Sequence, residues 1–131
     1  MNTTLRDNFL EDMKKFAHES EAVEVCGLIL YEDDKFVLKK CRNFSDMPDV
    51  YFEIHPADFL TAKLSKKLVA IFHSHTHGPT MFSEYDMSVS RECLYPYIMY
   101  SCETKEFKLF YEDNYEPEMS VIKLLEDTIN G

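Results

Sequence analysis

Apolar side chains recur at helical spacing over residues 4–18, where Leu5, Phe9, Met13 and Phe16 share a face flanked by Leu10 and Ala17. That period predicts an amphipathic helix with one side on a core, capped by Thr3 or Thr4. The pattern then changes period: residues 23–31 and 35–41 predict two strands joined by the polar turn Glu32-Asp33-Asp34. Asn43, Ser45, Asp46, Pro48 and Asp49 mark 42–50 as loop, and a short strand is expected over 50–54. His55-Pro56-Ala57-Asp58 opens a helix that carries Phe59, Leu60 and Leu64 and ends near Lys67. Leu68-Val69-Ala70-Ile71-Phe72 is a continuous apolar run leading into His73, the pattern of a central strand covered on both faces. A loop with Gly78 and Pro79 separates it from a helix that starts at Ser83 and reaches about Cys93. Residues 97–100 and 107–111 predict a hairpin around Glu103-Thr104-Lys105, and a last helix spans 118–130. With no repeat or linker in view, the expectation is one α+β domain over 1–131, a mostly antiparallel sheet with helices packed on it.

Composition narrows the function. A length of 131 residues fits one domain able to build its own core. The three glycines, Gly27, Gly78 and Gly131, can write neither GxGxxG nor GxxxxGK[ST], which removes the glycine-rich phosphate loops. With 14 Lys and Arg against 24 Asp and Glu, the formal net charge is −10, a poor match for nucleic acid or an anionic membrane face. The longest uncharged run, 68–83, holds three histidines, and 5–17 is broken by charges, so neither a membrane span nor a signal peptide is expected. Cys26, Cys41, Cys93 and Cys102 form no CxxC pair. Reduced thiols and a cytoplasmic setting follow as expectations. His18 and His55 have no evident partner in the sequence and are expected to be exposed.

The candidate chemistry lies in His73-Ser74-His75-Thr76-His77, followed by Ser83 and Asp86. Side chains alternate along a strand, so His73 and His75 share a face about 7 Å apart at the backbone. Two imidazoles so placed can converge on one ion, about 2.0–2.1 Å from zinc. Asp86, one turn into a helix beginning at Ser83, can supply a third ligand where the helix dipole favours a carboxylate. Two histidines and a carboxylate leave one position open, the mark of a catalytic zinc site rather than a structural one. Ser83-Glu84-Tyr85-Asp86 also reads as a capping box with Asp for the usual Glu, and strand-end histidines also read as hydrated surface groups.

His73-x-His75, seven residues, then Ser83-x-x-Asp86 resembles the JAMM motif of the MPN/JAB-domain metalloproteases. Their upstream ExCGxL block is matched by Glu24-Val25-Cys26-Gly27-Leu28, and Tyr51-Phe52-Glu53-Ile54-x-Pro56-x-Asp58 is similar to the JAB half of lambda-like phage tail-assembly proteins. The resemblance implies an MPN/JAB, cytidine-deaminase-like architecture for the single domain. It implies a zinc-dependent hydrolase of peptide or isopeptide bonds, with His73, His75 and Asp86 as ligands. Zinc lowers the pKa of its bound water to about 7. Glu24 is then implied as the general base that passes the water proton to the leaving amine, and Ser83 as a donor to the oxyanion. The family usually has proline directly after the second histidine; here Thr76 stands there and proline is delayed to Pro79, which bears on the groove rather than on the ligands. His77 has the parity to continue the histidine face, and the resemblance gives it no role.

The implied partners are a protein or peptide substrate, a ubiquitin-like C-terminal tail among them, and phage tail proteins. A phage origin would place the chain in the host cytoplasm or with the virion. The alternative is a tail-assembly or scaffold component with a structural or vestigial metal site. A zinc deaminase fails for want of Pro-Cys-x-x-Cys, and no HExxH occurs. Cys26 reads as a small packing residue on the Glu24 face of its strand rather than as a nucleophile.

Overall fold

The structure, a computed structural model, describes residues 2–48, 51–76 and 82–131, with side chains from Asn8 onward. Its elements run α1 (Asn2–Glu19), β1 (Cys26–Glu32), β2 (Lys35–Cys41), α2 (Pro56–Leu64), β3 (Leu68–His75), α3 (Glu84–Cys93), β4 (Tyr97–Ser101), β5 (Phe107–Phe110) and α4 (Met119–Asn130). The strands form one sheet in the order β2-β1-β3-β4-β5. Three of the pairings are antiparallel, and β3 with β4 is parallel, as the crossover through α3 requires. The fold is α+β, as expected. Among the described residues no helix is long and apolar enough to cross a membrane.

Alternation along the strands divides the interior into two cores. Ala70, Phe72, Ile98 and Tyr100 face α1 and α4, where Phe9, Met13, Leu125 and Ile129 cover them. Leu28, Ile71 and Tyr97 face the opposite way, toward Ala62 of α2 and the half-buried Phe52, Phe59, Phe82 and Val89. β1 and β2 are joined by two left-handed residues, Asp33 (φ 53°) and Asp34 (φ 62°), which suits the right-handed twist of a tight hairpin. Gly27 lets the same two strands close up, because a Cβ there would stand 2.8 Å from the Lys39 carbonyl oxygen and 2.8 Å from Leu38 Cδ1.

Several expectations need correction. The first helix already runs from Asn2, so Thr3 and Thr4 stand inside it rather than at its cap, and the first strand begins at Cys26 rather than at residue 23. Residues 51–54 form no strand, while Val50 lies outside the described residues. Their backbone groups are claimed locally: Tyr51 N–H donates to the Met47 carbonyl (2.8 Å), and the Glu53 carbonyl accepts from Phe44 N–H (2.9 Å). α2 stops at Leu64, short of Lys67, because Lys66 turns left-handed (φ 64°). β3 runs on past His73 to His75, held by Ser74 N–H to the Val25 carbonyl (3.0 Å) and Cys102 N–H to the His75 carbonyl (3.0 Å). His18 and His55 do have partners. The His18 ring nitrogens lie 2.9 Å from Glu21 Oε2 and 2.9 Å from the Tyr100 hydroxyl, fastening the end of α1 to β4. His55, exposed as expected, caps α2 by accepting from Ala57 N–H at Nδ1 (3.0 Å).

Candidate metal centre

β3 presents His73 and His75 on the α2–α3 side of the sheet, at the end where it leaves the ladder between β1 and β4. Across from them, Ser83 is the N-cap of α3. Its Oγ accepts from Asp86 N–H (3.0 Å), while Ser83 N–H donates to Asp86 Oδ2 (3.2 Å). This is a complete capping box, and it turns the Asp86 carboxylate toward the histidines. The capping reading and the ligand reading of these residues therefore describe one arrangement.

His73 Nε2 and His75 Nε2 are 3.2 Å apart. Asp86 Oδ2 lies 3.3 Å from the first and 3.4 Å from the second. Ligands at about 2.0–2.1 Å on the corners of a tetrahedron stand roughly 3.3–3.4 Å apart, so this near-equilateral triangle fits zinc. The group meets the requirements of a metal site among the described residues. Burial pushes the His73 pKa down, against the pull of Asp86. Burial would raise Asp86, yet hydrogen bonds from both histidines outweigh it and hold the carboxyl well below its usual range. A neutral imidazole and an ionised carboxylate are the forms that ligate a metal. A metal bound here would replace the protons that join the two Nε2 atoms to Asp86 Oδ2, so that three lone pairs converge on one cation.

Glu24 is buried just before β1. Val25 N–H donates to Ser74 Oγ (2.9 Å), and Ser74 N–H donates to the Val25 carbonyl (3.0 Å). Continued two residues past the pairing of Cys26 with His73, the register leads to Glu24 across from His75. Ser83 is exposed, and its oxygen accepts the cap bond, an arrangement compatible with donation of its hydroxyl proton to a further acceptor. Burial, reinforced by Cys41 and Glu24, pushes the Cys26 thiol up to about 12, so no thiolate nucleophile forms at neutral pH. All four cysteines are free thiols. His77, Gly78 and Pro79 lie outside the described residues, while Thr76 is half-buried at the end of β3.

The roles of two residues near the site escaped the sequence reading. Phe52 stacks on the His73 ring at 4.5 Å and 16°. Asn43, one of several polar loop residues, bonds through its side-chain amide to both Glu24 and the segment around Phe52. An Asn followed two residues later by Ser is a turn signal, and nothing in it announces such a reach.

Residues 7–112 match the family described as prokaryotic homologs of the JAB domain. The tail tip assembly protein K of Escherichia phage N15 is 32% identical over 74 residues, which are 56% of this chain and 30% of that protein. The chain thus spans about a third of the length of this curated relative. The solution structure of protein DSY2949 from Desulfitobacterium hafniense superimposes with a TM-score of 0.62 at 22% identity, over 81% of this chain and 82% of that one, a likeness of fold.

Proposed function

Because the chain belongs to the prokaryotic homologs of the JAB domain, we propose that His73, His75 and Asp86 hold a zinc ion and that the protein hydrolyses peptide or isopeptide bonds. The observation that carries this reading is the triangle of His73 Nε2, His75 Nε2 and Asp86 Oδ2, with sides of 3.2, 3.3 and 3.4 Å. Zinc held by these residues would supply Lewis acidity, to polarise a substrate carbonyl and lower the pKa of a bound water to about 7. Glu24, buried just before β1, takes the proton of the attacking water on a carboxylate oxygen and returns it to the departing amine nitrogen. The Ser83 hydroxyl donates to the oxyanion that develops as the carbonyl is attacked. Asp86, anchored by the Ser83 amide, keeps a fixed negative charge beside the two imidazoles.

The test is Glu24→Gln, measured for zinc per chain and for turnover on a panel of peptides and isopeptides, including a ubiquitin-like tail joined to lysine. Zinc near one equivalent with cleavage abolished is the expected result; unchanged turnover removes Glu24 from the chemistry. Purified wild-type protein that takes up no zinc defeats the hydrolase reading.

The phage N15 relative favours a second reading, a component of tail assembly that binds tail proteins in the host cytoplasm and stays with the virion. Turnover separates the two: a scaffold cleaves nothing and has no dependence on Glu24, and a vestigial site would also take up no zinc.

A further inference from the structure

A histidine that gives one ring nitrogen to a metal ordinarily has its ring turned by a hydrogen bond from the other nitrogen. His73 lacks that device. Its Nδ1 is buried and, among the described residues, has no hydrogen-bond partner. The ring is enclosed by aromatic groups instead. Phe52 lies parallel to it at 4.5 Å, Tyr97 meets it edge-on at 5.6 Å and 64°, and Phe82 leans on it at 6.2 Å. Tyr97 is fixed by the ladder of β4, whereas Phe52 sits in a segment without strand pairing, so something else must set its place.

Asn43 does so. Its Nδ2 donates to the Tyr51 carbonyl (2.9 Å) and to the Glu24 carbonyl (2.9 Å). Its Oδ1 accepts from Ser45 N–H (2.9 Å) and Glu53 N–H (3.0 Å). Both amide protons and both lone pairs are used. One side chain thus ties the residues on either side of Phe52 to the backbone of Glu24.

We propose that Asn43 and Phe52 are positioning residues of the metal centre: Asn43 fixes the 51–53 segment against Glu24, and Phe52 sets the ring plane of His73 in place of the missing hydrogen bond. The inference rests on the zinc reading above. Without the Phe52 ring, the imidazole is free to rotate about its Cβ–Cγ bond and Nε2 swings off the common point. Asn43→Asp would set a carboxylate oxygen against two carbonyls and release both Glu24 and the Phe52 segment.

The experiment titrates apo protein with zinc in competition with a chromophoric chelator, records the cobalt(II) absorption spectrum, and follows thermal unfolding without metal. Phe52→Leu is expected to weaken zinc binding about 10-fold and to alter the cobalt bands, as loss of an orienting partner does. Phe52→Tyr, which keeps the ring, should restore both. Asn43→Asp should weaken zinc in the same direction. Phe52→Met provides a second ring-less variant should the leucine form fold poorly. A Phe52 variant that melts earlier but binds zinc as tightly as wild type, with unchanged cobalt bands, overturns the proposal while leaving the zinc site standing. Wild-type protein that binds no zinc overturns the site and the proposal together.

Discussion

Ser83→Ala separates two duties that share one side chain. The substitution deletes the bond from Asp86 N–H to Oγ, 3.0 Å long. Losing a side-chain N-cap costs about 1 kcal/mol, which in a domain of this size lowers the melting temperature by roughly 3–5 °C. It does not delete the other half of the capping box, because the bond to Asp86 Oδ2 (3.2 Å) comes from the backbone N–H that alanine retains. The carboxylate should stay on the histidines, and zinc affinity should be unchanged. Turnover should fall about 10²–10³-fold if the hydroxyl serves the oxyanion, the equivalent of about 3–4 kcal/mol. A loss of about 1 kcal/mol from a domain stable by about 5–15 leaves nearly every molecule folded, so destabilisation cannot mimic that drop. Thermal unfolding, chelator competition and single-turnover cleavage on one preparation measure all three effects, and Ser83→Thr should preserve each. Full turnover in a Ser83→Ala protein that melts early would make Ser83 a cap and nothing more. Loss of zinc would show instead that the hydroxyl, rather than the amide, holds Asp86.

Further outcomes follow from the same geometry. Zinc at one hundred times its dissociation constant should add about 2.7 kcal/mol and raise the melting temperature by roughly 8–13 °C, and Asp86→Asn should abolish most of the shift. Gly27→Ala should cost about 1–3 kcal/mol in chemical denaturation, since the added carbon meets the Lys39 carbonyl at 2.8 Å and the strand pair must part. Stability should fall as pH rises above about 9. The buried Cys26 thiol keeps its proton up to about 12, whereas in the unfolded chain it ionises near 9, so the unfolded state binds fewer protons across that window. Burial raises Cys41, Cys93 and Cys102 as well and adds in the same direction. Urea midpoints that hold steady from pH 8 to 11 would contradict this.

The two halves of the triad obey local rules, while their meeting was implied only by the family resemblance. Period 2 puts His73 and His75 on one side, and Ser83 with Asp86 spans one helical turn. The Glu24 alignment with His75 could not be read in that way, since it depends on the pairing of Cys26 with His73, a contact 47 positions apart in the chain (73 − 26). The expected strand at 50–54 failed for a comparable reason. Tyr51, Phe52 and Ile54 have the composition of a strand, but the Asn43 side chain and nearby carbonyls had already taken the backbone groups that a ladder would need. Of the two His18 partners, the Tyr100 hydroxyl is 82 residues away and beyond any local pattern, whereas Glu21, three positions on, stood within reach of a sequence reading and was missed.

β3 serves two masters, with Ala70 and Phe72 turned to one core and Ile71 to the other, on the histidines' side. A threading error of a single residue would exchange them, placing Phe72 and Ser74 opposite Asp86 and driving imidazoles into oil. If the triad holds zinc as proposed, only a chain whose middle strand is in register can bind it, and ion uptake would double as an audit of assembly.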